Sequence, residues 1–178
     1  GDLLRILPRL RERYGRVQVS FGEPLDLATL VRAHAPDWRE HPTRDEARPP
    51  WLAGVIDDLA NTIMRRINAA AAATPTNLLA TVLLSMPRQA LPETDLVRQL
   101  ELYQKLLGAA PYSPDSSCTV LDGAGIVAHG EAMGMLERRQ HPLGDILRMR
   151  EEQAVLATYA RNNTLHLLAM PSFLACAF

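Results

Sequence analysis

Apolar residues recur at three- and four-residue spacing along most of the chain, and this periodicity predicts a mainly α-helical fold. The clearest case is Trp51 to Ala73, where Leu52, Val55, Ile56, Leu59, Ile63 and Ile67 form one stripe. Asp57 and Asp58 lie toward its start and Arg65 and Arg66 toward its end, as the helix dipole prefers, and Pro75 is expected to end it. Leu78 to Met86 reads as a short apolar helix suited to full burial. Pro92 to Leu107 reads as another, with Glu93 and Asp95 in its first turn and a stripe of Leu96, Leu100, Tyr103 and Leu107. Residues 122–138 carry a helix weakened by Gly123, Gly125, Gly130 and Gly134. Ile146 and Leu147 suggest a short strand or extended piece before the final helix. Residues 151–173 read as one helix, opened by Glu151 and Glu152 and stopped or kinked at Pro171. About six helices are expected after residue 50, with Asn68 and Asn77 as caps or turn residues between the first two.

The N-terminal third is patterned differently. Residues 3–14 alternate apolar and basic positions at helical spacing, interrupted by Pro8 and ended by Gly15. Arg16 to Phe21 alternates with period two, which predicts a half-buried strand closed by Gly22-Glu23-Pro24. Leu25 to Val31 begins a new amphipathic turn or two. Residues 34–50 are charged and Pro-containing, and they read as a linker that Trp38 anchors. His34 and His41 lie near Asp37 and Asp45 there, but a solvated connector explains them better than a metal or acid–base site.

Composition narrows the function classes. The chain has 178 residues, 47% hydrophobic and 22% charged, enough for one domain with a proper core. Its net charge of −1, without a run of like charges, argues against phosphate-driven nucleic-acid binding and gives no polybasic membrane anchor. Cys118 and Cys176 are far apart and lack neighbouring ligands, so neither zinc nor a disulfide is indicated, and a reducing compartment is the default. The longest apolar run, Leu165 to Phe178, is 14 residues and is broken by His166, Pro171 and Ser172, too short to span a bilayer. It ends at Phe178 without a polar tail, so the chain is expected to be truncated there.

The last predicted helix carries the candidate chemistry. Tyr159, Asn162 and His166 are spaced along one face, and Arg161 lies about 100° round from Asn162. Such groups in an apolar helix are either a satisfied polar network that locks it to its neighbours or a patch facing a ligand or another domain. The string Tyr159-Ala-Arg-Asn-Asn, then His166, then Pro171-Ser172-Phe173-Leu174, resembles the C-terminal signature of the bacterial membrane-associated glycerol-3-phosphate 1-O-acyltransferases. Phe21-Gly-Glu-Pro-Leu, Pro36-Asp-Trp-Arg-Glu, Arg66-Ile-Asn-Ala-Ala and Pro111-Tyr-Ser-Pro-Asp-Ser are similar to that family in the same order, so the resemblance covers essentially the whole chain.

The resemblance implies a fragment downstream of the family's catalytic motifs. Residues 1–33 would be the C-terminal edge of an α/β acyltransferase domain, 34–50 a linker, and 51–178 a helical C-terminal domain. It implies acyl transfer to the 1-hydroxyl of glycerol 3-phosphate by a His-x4-Asp dyad, the His acting as general base. No His here has Asp five residues on: His34 is followed by Arg39, His41 by Glu46, His129 by Gly134, His141 by Ile146 and His166 by Pro171. No nucleophile elbow, P-loop, zinc signature or dinucleotide fingerprint occurs either. The segment alone is therefore expected to be inactive, with no catalytic, cofactor-binding or metal residues. Tyr159, Arg161, Asn162 and His166 are expected to make polar contacts to an upstream acyltransferase domain. No cofactor is implied. Acyl-CoA or acyl-ACP would be the co-substrate of the parent enzyme. The partners implied are that upstream domain, the membrane surface and acyl carrier protein, without nucleic acid, at the cytoplasmic face of the bacterial inner membrane. Dihydroxyacetone phosphate as acceptor, and a non-enzymatic helical interaction or membrane-surface module, remain open alternatives.

Overall fold

The structure is a computed structural model that describes residues 17–40 and 48–177. The helix expected over 3–14, Arg16, His41 and the centre of the connector lie outside the described residues. Two compact units divide the chain near residue 70.

The first unit, residues 20–70, contains two helices. Helix α1, Leu27–His34, starts where Asp26 accepts a hydrogen bond from the Ala28 amide at 2.9 Å, which satisfies an otherwise unpaired N–H. Helix α2, Leu52–Ala69, is shorter than its apolar pattern indicates: the alanines at 72 and 73 leave the helix and pair elsewhere. Arg66 donates to the Glu23 carbonyl at 2.9 Å, which holds the Gly22-Glu23-Pro24 turn against the end of α2. The strand expected over 16–21 does not form among the described residues. Val17 to Phe21 pair with no other strand, and Val17, Val19 and Phe21 are exposed. A half-buried strand needs both a ladder partner and a covered face, and neither is present there.

The second unit, residues 17–19 and 71–177 among the described residues, is built around helix α3, Pro75–Ser85, in which every residue from Asn77 to Leu83 is buried. Pro75 opens this helix rather than closing the previous one. It occupies the first turn, where its missing N–H costs nothing, behind Thr74 as N-cap. Helix α4, Glu93–Ala109, packs Leu96, Leu100 and Leu107 on α3, as its stripe predicts. Helix α5, Gly123–Ala132, is shorter than expected and its glycines have a packing role. A Cβ on Gly130 would come within 2.6 Å of the Leu79 side chain, so the close approach of α5 to α3 requires glycine there. The helix ends at Ala132, and Gly134, with φ of +66°, turns the chain toward a strand that begins at Leu136.

A small sheet completes the unit. Strands β2 (Ala90–Pro92), β4 (Leu136–Arg139) and β5 (Ile146–Met149) form an antiparallel sheet in the order β2-β5-β4, placing Leu136, Leu147 and Met149 in the core. A two-residue parallel pair joins β1 (Ala72–Ala73) to β3 (Ser117–Cys118). The helix expected over 151–173 is broken. A 3₁₀ turn at Glu151–Gln153 leads into α6, Ala154–Asn162. The chain then turns at Asn163 and Thr164, passes through a second 3₁₀ turn at Leu165–Leu168, and forms α7, Ala169–Ala177. Pro171 lies in the first turn of α7 and so neither stops nor kinks it. Six α-helices follow residue 50 among the described residues, and the fold is mainly α.

Candidate functional site

The break at Asn163 and Thr164 rearranges the four candidate residues. Tyr159, Arg161 and Asn162 remain on α6, while His166 moves to the following 3₁₀ turn. Tyr159 and Asn162 are exposed, and Arg161 and His166 are half-buried. Arg161 donates to the Asn162 side-chain oxygen from Nε at 3.3 Å and from Nη2 at 3.2 Å. The His166 ring stands edge-on to Tyr112, with ring centres 5.1 Å apart. The structure thus joins Arg161 with Asn162 and directs His166 toward the loop after α4.

Arg161 also lines a pocket of about 260 Å³ with Thr81, Ser85, Tyr103, Leu165, Leu168 and Ser172. Thr81 and Ser85 donate their hydroxyl protons to carbonyls of their own helix, at 2.8 and 2.7 Å. No carboxylate lines this pocket. A larger cavity of about 380 Å³ lies under the 111–119 loop and is lined by Ser113, Ser116, Ser117, Cys118 and Thr119, among others. Burial pushes the Cys118 thiol pKa up, so this cysteine stays protonated and is a poor nucleophile.

Three polar arrangements escaped the sequence reading. Asn77 is buried and does more than cap. Its side-chain oxygen accepts from the Thr74 amide at 2.9 Å and from the Thr74 hydroxyl, while its Nδ2 donates to the Ala160 carbonyl at 2.6 Å. It therefore ties the start of α3 to α6, next to Arg161. Arg138 on β4 gathers three carboxylates: Glu93 at 2.5 Å, Glu131 at 2.8 Å and Asp145 at 3.0 Å. Its hydrogen bonds hold the Glu93 carboxyl below its ordinary range, and the three carboxylates keep Arg138 charged. In the first unit, His34 Nε2 lies 2.7 Å from Asp58 Oδ2. Asp37 and Asp45 lie near His34 and His41 in sequence, but the partner of His34 lies on the next helix. This pair joins α1 to α2, with the imidazole packed over Gly54. No group of three or more His, Cys, Asp or Glu suited to a metal occurs among the described residues.

By architecture this is a helical region, with a three-stranded sheet at one side of its core and an arginine-bearing pocket beside its last helices. A family model described as "Glycerol-3-phosphate acyltransferase C-terminal region" matches residues 1–178, and the chain belongs to that family. It is 46% identical over 177 residues to a glycerol-3-phosphate acyltransferase of Xanthomonas campestris pv. campestris, covering 99% of this chain and 20% of the relative. It is 42% identical over 177 residues to the glycerol-3-phosphate acyltransferase of Pseudomonas paraeruginosa, covering 99% of this chain and 21% of that protein. The chain thus spans about a fifth of the length of these curated relatives.

Proposed function

We propose that this chain is the supporting helical region of an enzyme that transfers a fatty acyl group from acyl-CoA or acyl-ACP to glycerol 3-phosphate. The product is lysophosphatidic acid, for phospholipid synthesis. The observation that carries this reading is the match of residues 1–178 to the C-terminal region of that enzyme family. Two features of the chain agree with a supporting role. It contains no His-x4-Asp pair to act as base and orienting acid. It also leaves apolar helix faces exposed: Ile56, Ile63, Met64 and Ile67 on α2, and Met170, Phe173 and Leu174 on α7. The remainder of the acyltransferase polypeptide would cover these faces, with Tyr159, Arg161, Asn162 and His166 as polar contacts at the junction.

Residues 1–33 would then belong to the edge of the upstream acyltransferase domain. Val17, Val19 and Phe21 would become a buried strand face once that sheet is supplied. No helix among the described residues is long and apolar enough to cross a membrane, so attachment to the cytoplasmic face of the inner membrane would be peripheral for this region.

Transfer of palmitate from palmitoyl-CoA to labelled glycerol 3-phosphate tests the reading. The 178-residue chain is expected to give no product and the longer polypeptide to give lysophosphatidic acid. Product from the chain alone would assign the chemistry to one of its own bases, and absence of product from both would remove the acyltransferase reading.

A further inference from the structure

We propose that Arg161 is one half of an ion pair whose other half is an aspartate or glutamate of the remainder of the acyltransferase polypeptide. The proposal rests on the reading that this chain is a supporting region which that remainder covers. Arg66, Arg138 and Arg161 all have side chains drawn partly out of solvent. Arg66 is 30% exposed and reaches the Glu23 carboxylate at 3.2 Å. Arg138 is equally exposed and holds Glu93, Glu131 and Asp145. Arg161 is half-buried, yet it has no carboxylate among the described residues, and its side-chain bonds go only to the neighbouring Asn162. A charge withdrawn from water is ordinarily paired, so Arg161 departs from the pattern that the other two follow. Its place in the last turn of α6 suits the helix dipole, but the dipole puts nothing into the space beside it.

The surroundings of the guanidinium define the partner. Asn162 Oδ1 accepts from Nε at 3.3 Å and from Nη2 at 3.2 Å, which occupies one side of the planar group and fixes its orientation. The other side keeps both Nη1 protons and one Nη2 proton without an acceptor among the described residues. Two parallel N–H groups there match the two oxygens of a carboxylate. The pocket of about 260 Å³ that Arg161 lines has room for an acidic side chain, and none of its other lining residues carries a charge. The counter-charge must therefore come from outside the described residues. Its source follows from what adjoins the pocket. Ser172 lines it and lies on α7 between Met170 and Phe173, whose side chains are exposed. A surface that packs on this uncovered face of α7 brings its own side chains to Arg161. Apolar burial would supply most of that contact, and the ion pair would set its register. A surface with no acid at this point would bury the guanidinium unpaired, which costs far more than leaving it wet.

Carbodiimide coupling in the longer acyltransferase polypeptide tests this. Arg161→Lys puts an amine in place of the guanidinium, and a carbodiimide joins an amine only to a carboxylate in contact with it. The expected result is an isopeptide bond from position 161 to an aspartate or glutamate outside residues 1–178, located by peptide mass spectrometry. Lys105, the only lysine native to these residues, serves as the internal control. Should Arg161→Lys fail to fold, phenylglyoxal modification of the unaltered proteins decides the matter. Arg161 should then react at least about tenfold more slowly in the longer polypeptide than in the 178-residue chain, as a charge-assisted pair requires. No link, a link confined to residues 1–178, or, in the second measurement, equal phenylglyoxal reactivity would overturn the proposal. If the proposal fails while the amides of Ala169–Ala177 exchange more slowly in the longer protein, only the ion pair falls and the supporting role stands. If exchange is also unchanged, the supporting role falls with it.

Discussion

Asn77 shows how much a single polar residue can hold. It is buried in α3, where every residue from Asn77 to Leu83 is buried, and both of its polar side-chain atoms have a defined partner at Thr74 or Ala160. The sequence reading of a cap accounts for its oxygen. The bond from Nδ2 to Ala160 spans 83 residues and could not be read from local spacing. Asn77→Ala should lower unfolding stability by about 2–3 kcal/mol, combining a lost cap with an unsatisfied buried carbonyl. Asn77→Asp keeps the acceptor for Thr74 but buries a carboxylate and sets one of its oxygens against the Ala160 carbonyl, so it should cost at least as much as alanine. Urea denaturation of the three proteins measures both differences, and an Asp variant more stable than the Ala variant would show that the bond from Nδ2 to Ala160 contributes nothing.

Among the elements, those with long one-sided apolar stripes were legible. Helix α4 follows its pattern closely, with Leu96, Leu100 and Leu107 buried. Strand β4 was not legible, because Leu136-Glu-Arg-Arg buries one residue in four and has no period to detect. The apolar density from Ala154 to Met170 merged α6 and α7 into one expected helix, since a 3₁₀ turn preserves apolar density while changing direction. The sites divide in the same way. Arg161 beside Asn162 is a sequence-local pair, whereas the Arg138 cluster joins residues 45 apart, from α4 to β4.

That cluster also makes the sheet sensitive to pH. The folded-state pKa of Glu93 is depressed below its ordinary 4.5, so its stabilisation is present above that value and is lost as pH falls through the lower folded value. The side chains are each about a third exposed, with relative accessibilities of 30% for Arg138 and 38% for Glu93, so solvent screens the pairs. Arg138→Gln should therefore cost about 1 kcal/mol at neutral pH. It should also flatten the loss of stability below pH 4.5, because the Glu93 carboxylate would no longer resist protonation. Thermal melting of both proteins between pH 7 and about pH 3 tests this. An unchanged acid slope in the variant would show that the cluster does not control the acid response.

At the scale of the whole molecule, the chain combines a well-filled core with uncovered apolar faces. Leu79, Leu83, Leu96, Leu100 and Leu147 are completely buried, yet Ile67 is 60% exposed and Phe173 is 72% exposed. Such faces are legible as stripes in the sequence, but periodicity cannot say whether this chain or another part of the polypeptide covers them. The family match supplies the context, because the chain spans about a fifth of the length of its relatives.

Amide hydrogen exchange over Leu52–Ala69 and Ala169–Ala177, compared between the 178-residue chain and the longer acyltransferase polypeptide, tests the supporting role most directly. If the rest of the enzyme packs on these faces, both helices should exchange at least about tenfold more slowly in the longer protein, while α3 changes little. Equal exchange in the two proteins would mean that the faces remain uncovered, and would contradict the account of this region as a helical support for the acyltransferase.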